Sequence, residues 1–101
     1  MGQKLDNGYG LKTTFWTDFT IADAFGVDAI KDTFNRAFNE WQNNLEFVTE
    51  LAIVMSCKSI YYFGKNEQYV NVYSDLYHIV DDWCMNNLKD DDLKYYLNTT
   101  D

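Results

Sequence analysis

The chain has 101 residues, 47% of them apolar and 18% aromatic, with sixteen carboxylates against eight basic residues and a net charge of −8. That length supports one domain, and so high an aromatic content excludes a disordered chain. A direct nucleic-acid binder needs clustered Lys and Arg to neutralise phosphates, and an anionic membrane asks for the same; the single arginine and seven scattered lysines meet neither demand.

No stretch approaches the roughly 18 uncharged apolar residues that span a bilayer; the longest, Leu51 to Met55, is stopped by Ser56 and Lys58. Met1 to Asp6 lacks the apolar run of a secretory signal. Asp6 also stands where a myristoylation signal carries Ser or Thr. The expectation is a soluble, cytoplasmic protein.

There is no proline, and long segments lack glycine, so helix is the first hypothesis throughout. Residues 1–14 are polar, with turn residues at Asn7, Gly8 and Gly10, and read as an arm outside the domain. Thr20 and Asp23 have the spacing of a capping box, with Gly26 as a stop, which predicts a short helix over about 20–25. Val27, Ile30, Phe34, Phe38 and Trp41, with Ala37, then form one apolar stripe. Lys31, Asp32, Asn35, Arg36, Asn39 and Glu40 fall opposite, predicting an amphipathic helix over about 28–43.

Leu45 to Phe63 is apolar nearly all round, with Glu46, Glu50, Ser56 and Lys58 as its wet positions. Such a helix belongs at the centre, covered on more than one side. Tyr69, Tyr73, Leu76, Tyr77, Val80, Trp83, Cys84 and Leu88 recur at three and four, with Val72 and Ile79 widening the stripe. Glu67, Asn71, Asp75, His78, Asp82 and Asn86 lie opposite, predicting a long helix over about 67–88. Asp90, Asp91 and Asp92 break it and cap a last turn carrying Leu93, Tyr96 and Leu97, acids being favourable at a helix N-terminus. The expected fold is all-α: a single domain over 15–101 built as a small bundle of three main helices with short terminal ones.

Residue types for catalysis are scarce. His78 is the single histidine, so two-histidine metal motifs are excluded, and it reads as a surface residue among Asp75, Asp81 and Asp82. Cys57 and Cys84 are too few for a disulfide framework or a structural zinc site and read as small core residues with free thiols, a mutual disulfide being the alternative. The glycines are isolated, so no phosphate-cradling loop is present. No enzymatic activity, cofactor or metal is expected.

Charge is the remaining signal. Residues 66–101 hold eight acids and two bases, Lys89 and Lys94. Asp75 and Asp82 on one helix are about 10 Å apart at 1.5 Å per residue. Together with Asp81, Asp90, Asp91 and Asp92 they form a candidate partner-binding set of fixed anions. Such a set can imitate a nucleic-acid backbone to a basic groove, which gains when fixed anions displace its mobile ones. Tyr69, Tyr95 and Tyr96 are candidate anchors beside it. The bland alternatives are a solvated face and a helix cap.

Phe15 to Gly26 (Phe-Trp-Thr-Asp-Phe-Thr-Ile-Ala-Asp-Ala-Phe-Gly), Asp28 to Phe34 and the closing Tyr95 to Asp101 carry a resemblance in sequence texture over roughly 15–101. They resemble small acidic accessory proteins carried on integrative and conjugative elements of Gram-positive bacteria. That resemblance transfers no active site. It implies a defence inhibitor of the antirestriction or anti-CRISPR kind, whose expected partner is a basic nucleic-acid-binding protein such as a Cas9-type effector, with no direct contact to nucleic acid or membrane. A helical interaction or regulatory module of the element, monomeric or homodimeric, is the competing expectation, marked by an exposed apolar patch.

Overall fold

The structure, a computed structural model, describes residues 13–100 and consists there of five α-helices with no strand. They are α1 (Thr13–Asp23), α2 (Val27–Trp41), α3 (Leu45–Tyr62), α4 (Glu67–Asn87) and α5 (Asp90–Thr100). The fold is therefore all-α, three longer helices flanked by two of eleven residues each. Among the described residues no helix is long and apolar enough to cross a membrane.

Helix α3 is the axle of the bundle. It packs on each of the other four helices, most extensively on α4, with which it forms a hairpin through Phe63–Asn66. Val48, Leu51, Ala52, Val54 and Met55 are fully buried along it. Around them close Phe19 of α1, Ile30 and Phe34 of α2, Tyr73 and Val80 of α4, and Tyr96 of α5. Aromatic edges lock the periphery: the Trp41 and Phe47 rings meet at 4.4 Å, Phe38 meets Trp83 at 6.0 Å, and Phe15 meets Phe47 at 6.1 Å.

The helix boundaries follow from local chemistry. Asn44 caps α3 by accepting the Phe47 amide at 3.1 Å, and Asn66 caps α4 by accepting that of Tyr69 at the same distance. Gly26 turns α1 into α2 at φ 115° and ψ −175°, a conformation essentially restricted to glycine. Asp90 opens α5 with φ 53°, a left-handed value that Asp tolerates better than most residues.

Four expectations are corrected. Helix α1 is not a short element over 20–25 but runs from Thr13, taking in the last two residues assigned to the arm; residues 1–12 lie outside the described part. Phe15, Phe19 and Ala22 supply its buried stripe, and Thr20 is no cap but an interior residue whose hydroxyl donates back to the Trp16 carbonyl. Lys58 and Glu50 are not wet: both are buried, because α3 is covered where they point. Ile79 does not widen the stripe of α4; it is exposed, on the side where no helix packs. Phe63 and the last residues of α3, Ile60 and Tyr61, likewise emerge from the bundle.

Candidate functional site

Two constellations stand out: an acidic half made by α4, α5 and the start of α3, and a buried polar knot at the other end of the bundle.

The outer face of α4 is as its spacing predicts. Glu67, Asn71, Asp75, His78, Asp82 and Asn86 are all exposed, while Tyr73, Leu76, Val80 and Cys84 face the core. Asp90, Asp91 and Asp92 form the exposed first turn of α5, a favourable place for negative charge against the helix dipole. That element is a full helix of three turns and not a single capped turn. Among the described residues none of these exposed carboxylates forms an ion pair.

Asp81 behaves differently. It is half-buried and accepts a hydrogen bond from the Tyr96 hydroxyl at 2.6 Å, tying α4 to α5. Burial, the Asp81 hydrogen bond and its charge all push the Tyr96 phenol well above the ordinary tyrosine value. Burial and the same carboxylate push the Cys84 thiol up to about 12, against the smaller lowering effect of a Tyr96 hydrogen bond. Cys84 is thus an inert core thiol. Cys57, raised by burial too, is equally free, and no disulfide joins them. Of the six candidate acids, five are on the surface and one is part of the scaffold.

Tertiary packing adds charge that the sequence order hid. Tyr95 of α5 is raised by burial and by the charges of Glu46 and Glu50 on α3, so the start of α3 lies beside α5. Exposed Glu46 joins the acidic half, whereas Glu50 is within the packed helix surface. Among the candidate aromatic anchors only Tyr95 is exposed; Tyr96 is fully buried, and half-buried Tyr69 donates its hydroxyl to the Asp23 carbonyl at 2.9 Å.

The knot centres on Asp23, the last residue of α1. Its carboxylate accepts from Lys58 Nζ at 2.8 Å, from the Tyr62 hydroxyl at 2.7 Å, and from the Tyr73 hydroxyl. The Lys58 and Asp23 side chains are only 3% and 8% exposed. Lys58 also donates to Thr20 Oγ1 at 3.0 Å and stands 4.6 Å above the Trp16 ring, so its ammonium is held by an anion, a hydroxyl and a π face. Both phenols are raised strongly, by burial first and then by the Asp23 carboxylate they donate to. The Tyr62 and Tyr73 rings stack nearly parallel at 6.2 Å, and Tyr62 meets Tyr69 edge-on at 5.0 Å. The Asp23–Lys58 pair at its centre is shielded from solvent and engaged by several partners, so it pins α1 to α3 and α4.

No family model, curated protein or solved structure matches the chain. The site therefore stands on its own geometry. Among the described residues no three His, Cys, Asp or Glu side chains converge as a metal site.

Topology separates the two constellations. Helix α4 rises about 30 Å over 21 residues. Its first turns carry Tyr69 and Tyr73 of the knot, and its later turns carry Asp81 and Asp82 and lead to α5. Asp81, Asp82 and Asp90–Asp92 thus lie beyond the turns that carry the knot.

Proposed function

We propose that the chain acts without enzymatic chemistry, as an acidic protein inhibitor of a host defence nuclease: an anti-CRISPR that occupies a basic nucleic-acid-binding surface of a Cas9-type effector and blocks guide or target binding. The observation that carries this reading is the set Asp75, Asp82, Asp90, Asp91 and Asp92, exposed and without ion pairs among the described residues. A carboxylate already paired with a lysine offers a basic partner little; unpaired ones on two rigid helices keep their full field. Effectors of this type hold their nucleic acid in a positively charged channel, the complementary surface. The resemblance to accessory proteins of Gram-positive mobile elements implies a defence inhibitor, without specifying its target.

The test mixes purified protein with a guide-free effector at moderate and high salt and follows complex formation and guide-RNA loading. The expected result is a complex that competes with guide RNA and weakens with salt, because exposed charges are screened beyond about 10 Å at 0.1 M. Replacing Asp82, Asp90, Asp91 and Asp92 together by Lys abolishes inhibition while helical content stays. Unchanged inhibition by that variant, or no complex with either the guide-free or guide-loaded effector, refutes the proposal. One observation favours a second reading, a self-associating interaction module of the element: Phe63 is 78% exposed beside exposed Ile60 and Tyr61. A dimer in gel filtration that Phe63→Ser converts to monomer supports that reading.

A further inference from the structure

Helices α1 and α2 run antiparallel and leave between them an open groove of about 930 Å³ on the bundle surface. Phe25 and Ala29 line one end, Phe15 and Trp41 the other. Between Phe15 and Trp41 at one end and Phe25 at the other, the buried and half-buried lining residues are small, Ala22, Ala29, Thr33 and Ala37, and on the α1 side stand Ile21 and Phe25, 55% and 78% exposed. Asp18, Asp32 and Glu40 also line it, against Arg36 alone. Arg36 is turned onto the Thr33 hydroxyl at 3.4 Å, and none of the three acids has an ion pair among the described residues.

We infer that this groove is a docking site for a basic amphipathic helix of a partner protein, separate from the acidic α4–α5 surface and independent of the function proposed for it. From Ala29 to Trp41 the groove follows α2 for about 18 Å at 1.5 Å per residue, the length of a three-turn helix. Small residues beneath let a third helix lie close, Ile21 and Phe25 cover its apolar side, and its Lys or Arg residues meet Asp18, Asp32 and Glu40. A second copy of this chain is a poor occupant. It would bring those three acids against another molecule of net charge −8, a like-charge encounter.

The experiment uses the full chain and two displayed libraries of 15-residue helices with apolar residues at i, i+3, i+4 and i+7. One library carries Lys and Arg at the remaining positions, the other Glu and Asp. The expected result is enrichment from the basic library alone. Selected helices lose at least tenfold in affinity for Ile21→Ser/Phe25→Ser and several-fold for Asp32→Lys/Glu40→Lys, and are unaffected by Asp90→Lys/Asp91→Lys/Asp92→Lys. The altered side chains of α1 and α2 are all exposed, so circular dichroism and unfolding midpoints of those variants match the parent; the Asp90–Asp92 variant, with lysines at the start of α5, is required to keep parental helical content at the assay temperature. No enrichment, equal enrichment from both libraries, or binding that follows Asp90–Asp92 in place of Phe25 overturns the inference. So does displacement of the selected helix by a synthetic peptide of residues 1–12, or a dimer that Phe25→Ser dissolves; each would assign the groove to this chain itself.

Discussion

Removing the negative member of the buried knot should cost far more than removing the positive one. In Asp23→Asn the Lys58 ammonium, 3% exposed, loses its counter-charge and keeps neutral partners alone, the Thr20 hydroxyl, the Trp16 and Tyr61 faces and the new amide oxygen. Stranding a buried charge costs about 3–5 kcal/mol, a large share of the roughly 5–15 kcal/mol that holds a domain together. In Lys58→Met the carboxylate keeps two phenol donors, Tyr62 and Tyr73. Hydrogen bonds to a charged group are worth about 1.5–3 kcal/mol each, so most of its solvation is retained and the loss should be about 1–3 kcal/mol. The double variant Asp23→Asn/Lys58→Met strands no charge. It should cost about as much as Asp23→Asn alone rather than the sum of the two, a coupling of about 2 kcal/mol between the sites. Urea unfolding followed by far-ultraviolet circular dichroism gives all three values from the shift in midpoint at constant slope. An Asp23→Asn variant within about 0.5 kcal/mol of the parent, or costs that simply add, would refute the account of the knot as a charge pair sealed by phenols.

Alkali should unfold the protein early. Tyr73 and Tyr96 are fully buried and their phenols are held above the ordinary value of 10.0. Above that pH the unfolded chain releases protons the folded one retains, so stability present below pH 10 is lost as pH rises, at up to about 1.4 kcal/mol per buried phenol per pH unit. Unfolding midpoints between pH 9 and 11.5, with phenolate absorbance, check this; full ionisation of every tyrosine near pH 10 in the folded state would contradict it. Asp81→Ala should destabilise by about 1–3 kcal/mol through the lost Tyr96 acceptor, whereas Asp75→Ala and Asp82→Ala stay within about 0.5 kcal/mol. Gly26→Ala should cost about 1–3 kcal/mol from backbone strain alone, because a Cβ there meets no atom within 4 Å; an unchanged melting temperature would show that the turn relaxes.

Helices α2 and α4 were legible because their stripes are periodic and each has a clean polar side: every residue assigned to the polar side of either helix is exposed. The central place of α3 followed from its apolar girth. Helix α1 was misread because Thr20, Asp23 and Gly26 mimic a local cap, while the groups that engage Thr20 and Asp23 come from Lys58, 38 and 35 residues away. Distance along the chain hid the partner, and a lysine on an apolar helix was the one clue that a carboxylate had to be buried with it. The same logic applies to Asp81. Spacing on α4 alone cannot separate it from Asp82, and only the docking of α5 assigns one to Tyr96 and the other to solvent. The α1–α2 groove was invisible for a simpler reason: it is made by two helices meeting, and neither carries it alone.

The placement of charge has a structural logic beyond any partner. Five surface acids along α4 and in the first turn of α5 repel one another and weaken the native state locally, so that half needs compensating contacts. They are supplied on the inner side: Tyr96 is fully buried against Asp81 and Cys84, and Phe38 of α2 closes on Trp83. Away from that surface, the buried charge pair and its phenols fix α1 in place. That division lets the acidic face be altered without touching the knot, and the knot be weakened without changing the face. Charge reversal at Asp90–Asp92 sets lysines against the N-terminal end of the α5 dipole, one of them at φ 53°, so a binding defect in that variant counts only where its unfolding midpoint stays well above the assay temperature.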